Sequence, residues 1–364
     1  MKIFYDHQVF SWQKVGGVSR YFVELMTHLP ADIGYMMPPV LSENVYLDLL
    51  GDSIPPVKRW SVAGYRVRKK LYEAVNQYRS SRMIAKGGFD VLHPTYYSTY
   101  FLRHRKSPYV ITVHDFIHEK YPQYFSDASK VIREKKEAVT HADRIIAISE
   151  HTKRDLVDIY GMPASRVDVV YHGASPLSAS HEPVEGTGDR FLLFVGDRTK
   201  YKNFQNLAEA FRILSKADPE LRLVCAGRQF SEAESRHLAS LGIADRTMAR
   251  FVTDGQLAWL YANTACFVFP SAYEGFGLPI LEAWHAGAPV ALSKASCFPE
   301  IAANAASWFE PDDPEMMARA ISDVVYSPET REHLRNLSRE RLKEFTWDKT
   351  ARLTADIYRS LSSV

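Results

Sequence analysis

The chain has 364 residues, 46% hydrophobic and 24% charged, with a formal net charge of +2 at pH 7. That is the composition of a soluble globular protein with room for two domains, and its near-balance of charge excludes a general nucleic-acid binder. Cys225, Cys266 and Cys297 are its three cysteines. They fall in separate predicted elements without metal-ligand spacing, which points to a reduced, cytoplasmic protein rather than a disulfide framework.

Met1-Lys2-Ile3-Phe4-Tyr5-Asp6 reads as a strand from the outset, so no signal peptide is expected, and no apolar stretch approaches 18 residues. Short apolar runs then alternate with helical patterns along the whole chain, which argues for α/β architecture with parallel sheets. In the first half, strands are expected at 2–5, 91–93, 109–114, 144–148 and 167–171. In the second half they are expected at 191–195, 221–226, 249–252, 266–269 and 289–292. The small, polar stretch 178–188 reads as a linker, and a helix over 347–361 ends the chain. The expected domains are therefore 1–180 and 181–345, with 346–364 as a terminal helical segment.

Several motifs follow directly on predicted strands. Gly16-Gly17-Val18-Ser19-Arg20-Tyr21 opens a helix, and its paired glycines let backbone N–H groups reach a phosphate oxygen; a plain strand-to-helix turn fits the local sequence equally well. Residues 58–82 are basic and aromatic, with Val67, Leu71, Val75 and Tyr78 on one helical face. They read either as an ordinary surface helix or as a peripheral contact with an anionic membrane. Ile111-Thr112-Val113-His114-Asp115 ends a strand on a histidine. Ser149, after the strand at 144–148, reads equally as a site residue or as a helix N-cap partnered by Thr152.

Beyond the linker, Gly196-Asp197-Arg198-Thr199-Lys200-Tyr201-Lys202-Asn203 follows a strand and precedes an amphipathic helix that Asn203 is placed to cap. Arg198 and Lys202 thus lie near a helix N-terminus, where cations are unfavourable unless an anion sits between them. A diphosphate suits the pair, because Arg can fork two oxygens while Lys acts as a point charge. Gly227 and Val252 lie in further loops after strands. Last comes Ser271-Ala272-Tyr273-Glu274-Gly275-Phe276-Gly277-Leu278-Pro279-Ile280-Leu281-Glu282-Ala283. Its glycines permit a tight turn, Pro279 suits a helix start, and the helix N-terminus is a ready anion site. Glu274 and Glu282 beside such a site are costly unless they bind something else, and sugar hydroxyls are the natural partners.

These residues resemble the Glu-x7-Glu signature and the Gly-x-Arg-x-x-x-Lys-Asn loop of retaining GT-B glycosyltransferases of family 4, group 1. The resemblance covers almost the whole chain and is densest from 190 to 310. It implies two Rossmann-like domains facing across a cleft, with the C-terminal helix crossing back to the first. It assigns Glu274 and His114 to the donor sugar, Glu282 to the nucleotide ribose, and Arg198 and Lys202 to the leaving diphosphate. Gly16, Gly17, Gly196, Gly227, Val252, Gly275, Phe276, Gly277 and Leu278 complete the donor site by the same resemblance. Arg20, Tyr21, Asp115 and Ser149 are its acceptor-side candidates. The opening 4–10, with 17–21, is most similar to enzymes of bacterial O-antigen and surface-polysaccharide assembly, many of which use GDP-mannose. A glycan or lipid-linked glycan is the implied acceptor. Ser296-Cys297-Phe298-Pro299-Glu300 departs from the commoner Gly-Gly-x-Pro-Glu loop, and its bulk is expected to reshape the sugar pocket.

No Asp-x-Asp occurs, so no cofactor and no metal clamp on the diphosphate is expected; Arg198, Lys202 and a helix N-terminus are left to supply the positive charge. A UDP- or dTDP-sugar transferase remains an alternative. So do a nucleotide-sugar epimerase or hydrolase and a non-catalytic nucleotide-sugar binding protein.

Overall fold

The computed structural model describes residues 1–57, 65–177, 180–198 and 200–362, without the side chains of 65–68, 200 and 362. The strands are β1 (Lys2–Tyr5), β2 (Gly34–Met36), β3 (Val91–His93), β4 (Val110–Val113), β5 (Arg144–Ala147) and β6 (Val167–Val169), then β7 (Phe191–Val195), β8 (Arg222–Ala226), β9 (Thr247–Arg250), β10 (Cys266–Phe269), β11 (Val290–Ser293) and β12 (Ser307–Phe309). All ten expected strands are present. The two missed ones, β2 and β12, are three-residue edge strands.

The chain divides into two compact units. One comprises Met1–Gly173 and the chain from Trp347 onward; the other is Ala174–Thr346. The boundary lies before the stretch expected to be a linker. Within that stretch Glu182 donates its backbone N–H to Gly255 and accepts from the Thr253 hydroxyl, while Val184 and Thr187 are buried. Polar composition signalled a free linker; these pairings instead tie the described part of it into the second unit. Ser178 and Ala179 lie outside the described residues.

In the first unit the parallel strands run β2-β1-β3 and β4-β5-β6, joined by a bridge between Leu92 and Tyr109. In the second they run β12-β11-β10-β7-β8-β9, also parallel. Central strands such as Phe191-Leu192-Leu193-Phe194 are continuously apolar because both faces are covered. The helix Phe204–Ala217 closes one face through Leu207, Phe211 and Leu214. The helix Trp347–Ser362 packs Ala351, Ala355 and Tyr358 into the first unit's core. Its Tyr358 hydroxyl lies 2.6 Å from His93 Nδ1 and 2.9 Å from the Tyr5 hydroxyl, and His93 Nε2 lies 2.9 Å from Thr112 Oγ1.

Read as an ordinary surface helix, Tyr65–Lys86 would bury its apolar face, and the described side chains of that face do not. Leu71 and Val75 are half-buried and Tyr78 is 62% exposed, while Tyr72, Asn76, Ser80 and Ile84 point inward. The inward seam is polar but satisfied. Asn76 bonds both backbone polar groups of Leu41 and the Ser11 hydroxyl, and Ser80 Oγ lies 2.7 Å from His7 Nδ1. Residues 58–64 of the basic stretch lie outside the described residues. No described helix is long and apolar enough to cross a membrane.

Candidate functional site

In the second unit the strand order reverses between β7 and β10, the position at which open parallel sheets bind ligands outside their carboxyl ends. The loop after β7 carries Gly196, Arg198 and Lys202; the loop after β10 carries Glu274 to Gly277. They are joined by Ala272 N–H on the Tyr201 carbonyl, 2.8 Å, and by Lys202 Nζ on Glu274 Oε1, 2.5 Å. Both side chains of that pair are mostly buried.

Gly277 caps the helix Leu278–His285 at φ 97°, in the left-handed region, and no side chain caps this N-terminus. Pro279 occupies the second helical position and offers no N–H, and the Ile280 N–H donates to the Gly277 carbonyl at 2.9 Å, so the donors this N-terminus offers an anion are those of the residues before Pro279. A Cβ on Gly227 would stand 2.6 Å from the Gly196 carbonyl oxygen, so the loops after β7 and β8 touch only because one of them has no side chain. Glu282 is half-buried and accepts from the Tyr261 hydroxyl at 3.5 Å. β9 ends at Arg250, which leaves Val252 in the following loop beside the capping box of Thr253 and Gln256.

Arg198 differs from the expected two-oxygen fork. Its guanidinium is fully buried over Phe204 and Phe230, with Nε on Glu234 and Nη2 on the carbonyls of Arg228 and Gln229. Only Nη1 is buried without a partner among the described residues. Burial raises the Glu234 pKa, but the Ser231 N–H and two arginines outweigh it and bring the value down to about 2. Asn203 stands at the helix start with φ 59°, which turns its amide away from the cap; it donates to the Pro311 carbonyl instead. Thr199 lies outside the described residues.

The loop 296–300 also departs from expectation. Cys297 and Phe298 are fully buried beneath the turn. Cys297 Sγ faces the Glu274 and Phe276 carbonyls, and Ser296 Oγ accepts the Glu274 N–H at 3.1 Å and donates to the Glu274 carbonyl. Phe298 stacks on Phe269, ring centres 4.9 Å apart. The extra bulk supports the turn that carries Glu274.

In the first unit His114 follows β4. Its backbone N–H donates to the Tyr97 hydroxyl at 3.1 Å, its ring packs on Tyr21, and Nε2 is buried without a partner among the described residues. Burial lowers its pKa to about 4, with Lys135 adding to the effect and Asp115 opposing it, so the imidazole is neutral at pH 7. Asp115 Oδ1 accepts the Ile117 N–H, and the Asp115 carbonyl accepts from Lys135. Lys135, which helical periodicity alone did not single out, is fully buried. It pairs with Glu119 at 2.9 Å and lies over the Tyr97 and Phe116 rings.

Tyr21 is fully buried with its hydroxyl 3.3 Å from Thr112, which makes it packing beneath His114 rather than a surface open to an acceptor. Ser149 is the N-cap of Glu150–Tyr160, accepting the Thr152 N–H at 3.0 Å. Arg20 faces Glu24 at 3.7 Å. At the start of Gly17–Thr27, the Gln13 amide oxygen folds past Gly16 onto the Ser19 N–H at 2.8 Å. A side chain thereby holds one of the donors expected to be left for phosphate. Among the described residues no group of three or more His, Cys, Asp and Glu is arranged to hold a metal ion.

The family described as glycosyl transferases group 1 matches residues 179–341, and that described as glycosyltransferase family 4 matches 15–176. The chain is 26% identical over 278 residues to O-antigen chain mannosyltransferase B of Escherichia coli, covering 72% of this chain and 73% of that one. It is 30% identical over 313 residues to the D-inositol 3-phosphate glycosyltransferase of Streptosporangium roseum, covering 77% of this chain and 71% of that one. Among solved structures it is similar to Anabaena HepE in complex with UDP-glucose, with a TM-score of 0.74 at 18% identity, covering 99% of this chain and 100% of that one. That likeness is one of fold, two Rossmann-like α/β units of the GT-B class. The protein belongs to the group 1 glycosyltransferases of family 4.

Proposed function

We propose that the protein transfers a hexose, with mannose from GDP-mannose favoured, to a glycan or lipid-linked glycan acceptor in bacterial surface-polysaccharide assembly, with retention of configuration. The observation that carries this reading is the Lys202–Glu274 pair beside the uncapped helix N-terminus at Gly277. It combines a cation, a carboxylate and backbone donors at the reversal point of the sheet. A nucleoside diphosphate departs towards Lys202 and the helix N-terminus, whose positive charge stabilises it, while buried Arg198 anchors the loop that carries Lys202. Glu274 holds sugar hydroxyls. The acceptor hydroxyl attacks the anomeric carbon on the face that the diphosphate leaves, and its proton passes to the departing phosphate oxygen. Mannose is favoured by the likeness to the O-antigen mannosyltransferase. A UDP-sugar is the second reading, favoured by the fold shared with the UDP-glucose complex.

Calorimetric titration with GDP, UDP, ADP and dTDP, without and then with Mg2+, tests the reading. Binding of GDP alone without metal supports it. Binding of UDP alone transfers the assignment to the second reading. Absence of any nucleotide binding overturns both. The anomeric configuration of the product, read by NMR, decides retention.

A further inference from the structure

The first unit holds a cavity of about 470 Å³ that none of the assigned roles uses. Its place follows from the sheet. The order β2-β1-β3 reverses between β1 and β3, and the residues following these strands, Gln8 and Tyr96 among them, form one wall. The helix Tyr65–Lys86 forms another, with Glu73 and Gln77 one turn apart on the same face. The volume falls within the roughly 300–1,000 Å³ usual for small-molecule sites.

Its chemistry is that of a saccharide site. Trp12 lines the cavity at 37% exposure, and its ring is set edge-on to Tyr96 with centres 5.1 Å apart. An indole held in this way offers a flat apolar plate to the C–H face of a sugar ring and retains a polar edge. Around it, Glu73, Gln77 and Asp127 make no side-chain hydrogen bond among the described residues, so their acceptors and donors are available to hydroxyls. Gln8, by contrast, is fixed: its amide nitrogen donates to Asp6 and to the Ser98 carbonyl, and its oxygen accepts the Ser98 N–H. It therefore serves as rigid wall. Three carboxylates, Glu73, Asp127 and Glu134, face two lysines, Lys69 and Lys130, and Lys130 lies 3.9 Å from Glu134. That balance disfavours an anionic ligand.

We propose that this cavity is a saccharide subsite, taking a neutral pyranose of the acceptor glycan against Trp12 with its hydroxyls on Glu73, Gln77 and Asp127. The proposal rests on the glycosyltransferase reading above and adds to it the class of acceptor sugar.

The test is saturation-transfer NMR on the full chain with the methyl pyranosides of mannose, glucose, galactose and N-acetylglucosamine, and with glucuronate, in parallel with titration of GDP and UDP. At least one neutral pyranoside is expected to bind, and glucuronate to bind more weakly. Trp12→Ala and Glu73→Gln are each expected to weaken the pyranoside about tenfold or more. Trp12→Phe, which keeps a ring, should retain most of the affinity, and the nucleotide affinity of all three variants should be unchanged. Because Trp12 and Glu73 are exposed, the variants are expected to fold, and an unchanged circular dichroism spectrum and urea midpoint verify it. If nucleotides bind wild type but no pyranoside does, or if pyranoside affinity ignores both substitutions, the subsite is overturned while the enzyme reading stands. Tighter binding of glucuronate than of the neutral sugars also overturns it. If no nucleotide binds wild type, the enzyme reading falls.

Discussion

Lys202 and Glu274, separated by 72 residues in sequence, meet at 2.5 Å between the loops after β7 and β10. Each fixes the other, so the cation we propose for the diphosphate and the carboxylate we propose for the sugar are positioned as a unit. Groups that act as a unit give non-additive losses.

Lys202→Ala and Glu274→Ala are each expected to lower kcat on the order of 10²–10³-fold, the cost of removing a preorganised electrostatic group. The double variant should lose little more than the worse single one. Steady-state kinetics of the four proteins of the cycle checks this, and losses that multiply would show the two residues acting independently.

Arg198→Lys keeps the charge but cannot reproduce bonds to Glu234 and to two carbonyls at once. Stability of the second unit should fall by about 2–4 kcal/mol, as expected when buried partners are left unsatisfied. A clear drop in the urea midpoint is therefore expected for this variant, with a far smaller one for Lys202→Ala. Equal midpoints for the two variants would contradict the anchoring role.

Acid should destabilise the fold in a defined window. His114 is lowered to about 4 by burial, opposed by Asp115, and His93 to about 3 by burial and by His114. Both are neutral when folded, whereas the unfolded chain takes up their protons below about 6.5. Their stabilisation is complete above pH 6.5 and declines as pH falls towards 4, by about 1.4 kcal/mol per pH unit for each histidine. Urea midpoints taken at pH 7, 6, 5 and 4.5 measure the slope. His114→Gln should make it shallower, and a flat profile in the wild type would refute the assignment.

Gly227→Ala should be poorly tolerated although it adds one methyl group. The new Cβ would meet the Gly196 carbonyl oxygen at 2.6 Å, a backbone atom that cannot rotate aside. A loss of about 1–3 kcal/mol is expected, together with weaker nucleotide binding, because the loop carrying Arg198 must shift. Differential scanning fluorimetry with and without nucleotide reads both effects.

The strands and most site loops were legible because apolar runs and glycine turns are local signals. The edge strands β2 and β12 were not, since Gly34-Tyr35-Met36 and Ser307-Trp308-Phe309 are too short to show a period. The inward face of the helix Tyr65–Lys86 was hidden for a different reason. Its inward Asn76 and Ser80 are polar, and only the distant Leu41, Ser11 and His7 explain why they are buried. At the candidate site the residue types were visible and their partners were not. Nothing near Arg198 in sequence announces Glu234, and nothing near His114 announces Lys135. Long-range pairing leaves no periodicity to read.

The return of the helix Trp347–Ser362 to the first unit also orders events during synthesis. The core that receives Ala351 and Tyr358 is built from residues made long before that helix exists. Translation at roughly 5–20 residues per second spends on the order of ten to thirty-five seconds on the intervening unit. For that interval the hydroxyl of Tyr5 and the imidazole of His93 lack their partner Tyr358. The second unit can complete its own core as soon as it emerges, whereas the first, begun earlier, finishes last. A stop codon placed after Thr346 would therefore spare the later-made unit and leave the earlier one unfinished, the reverse of what a truncation near the end of a chain ordinarily does.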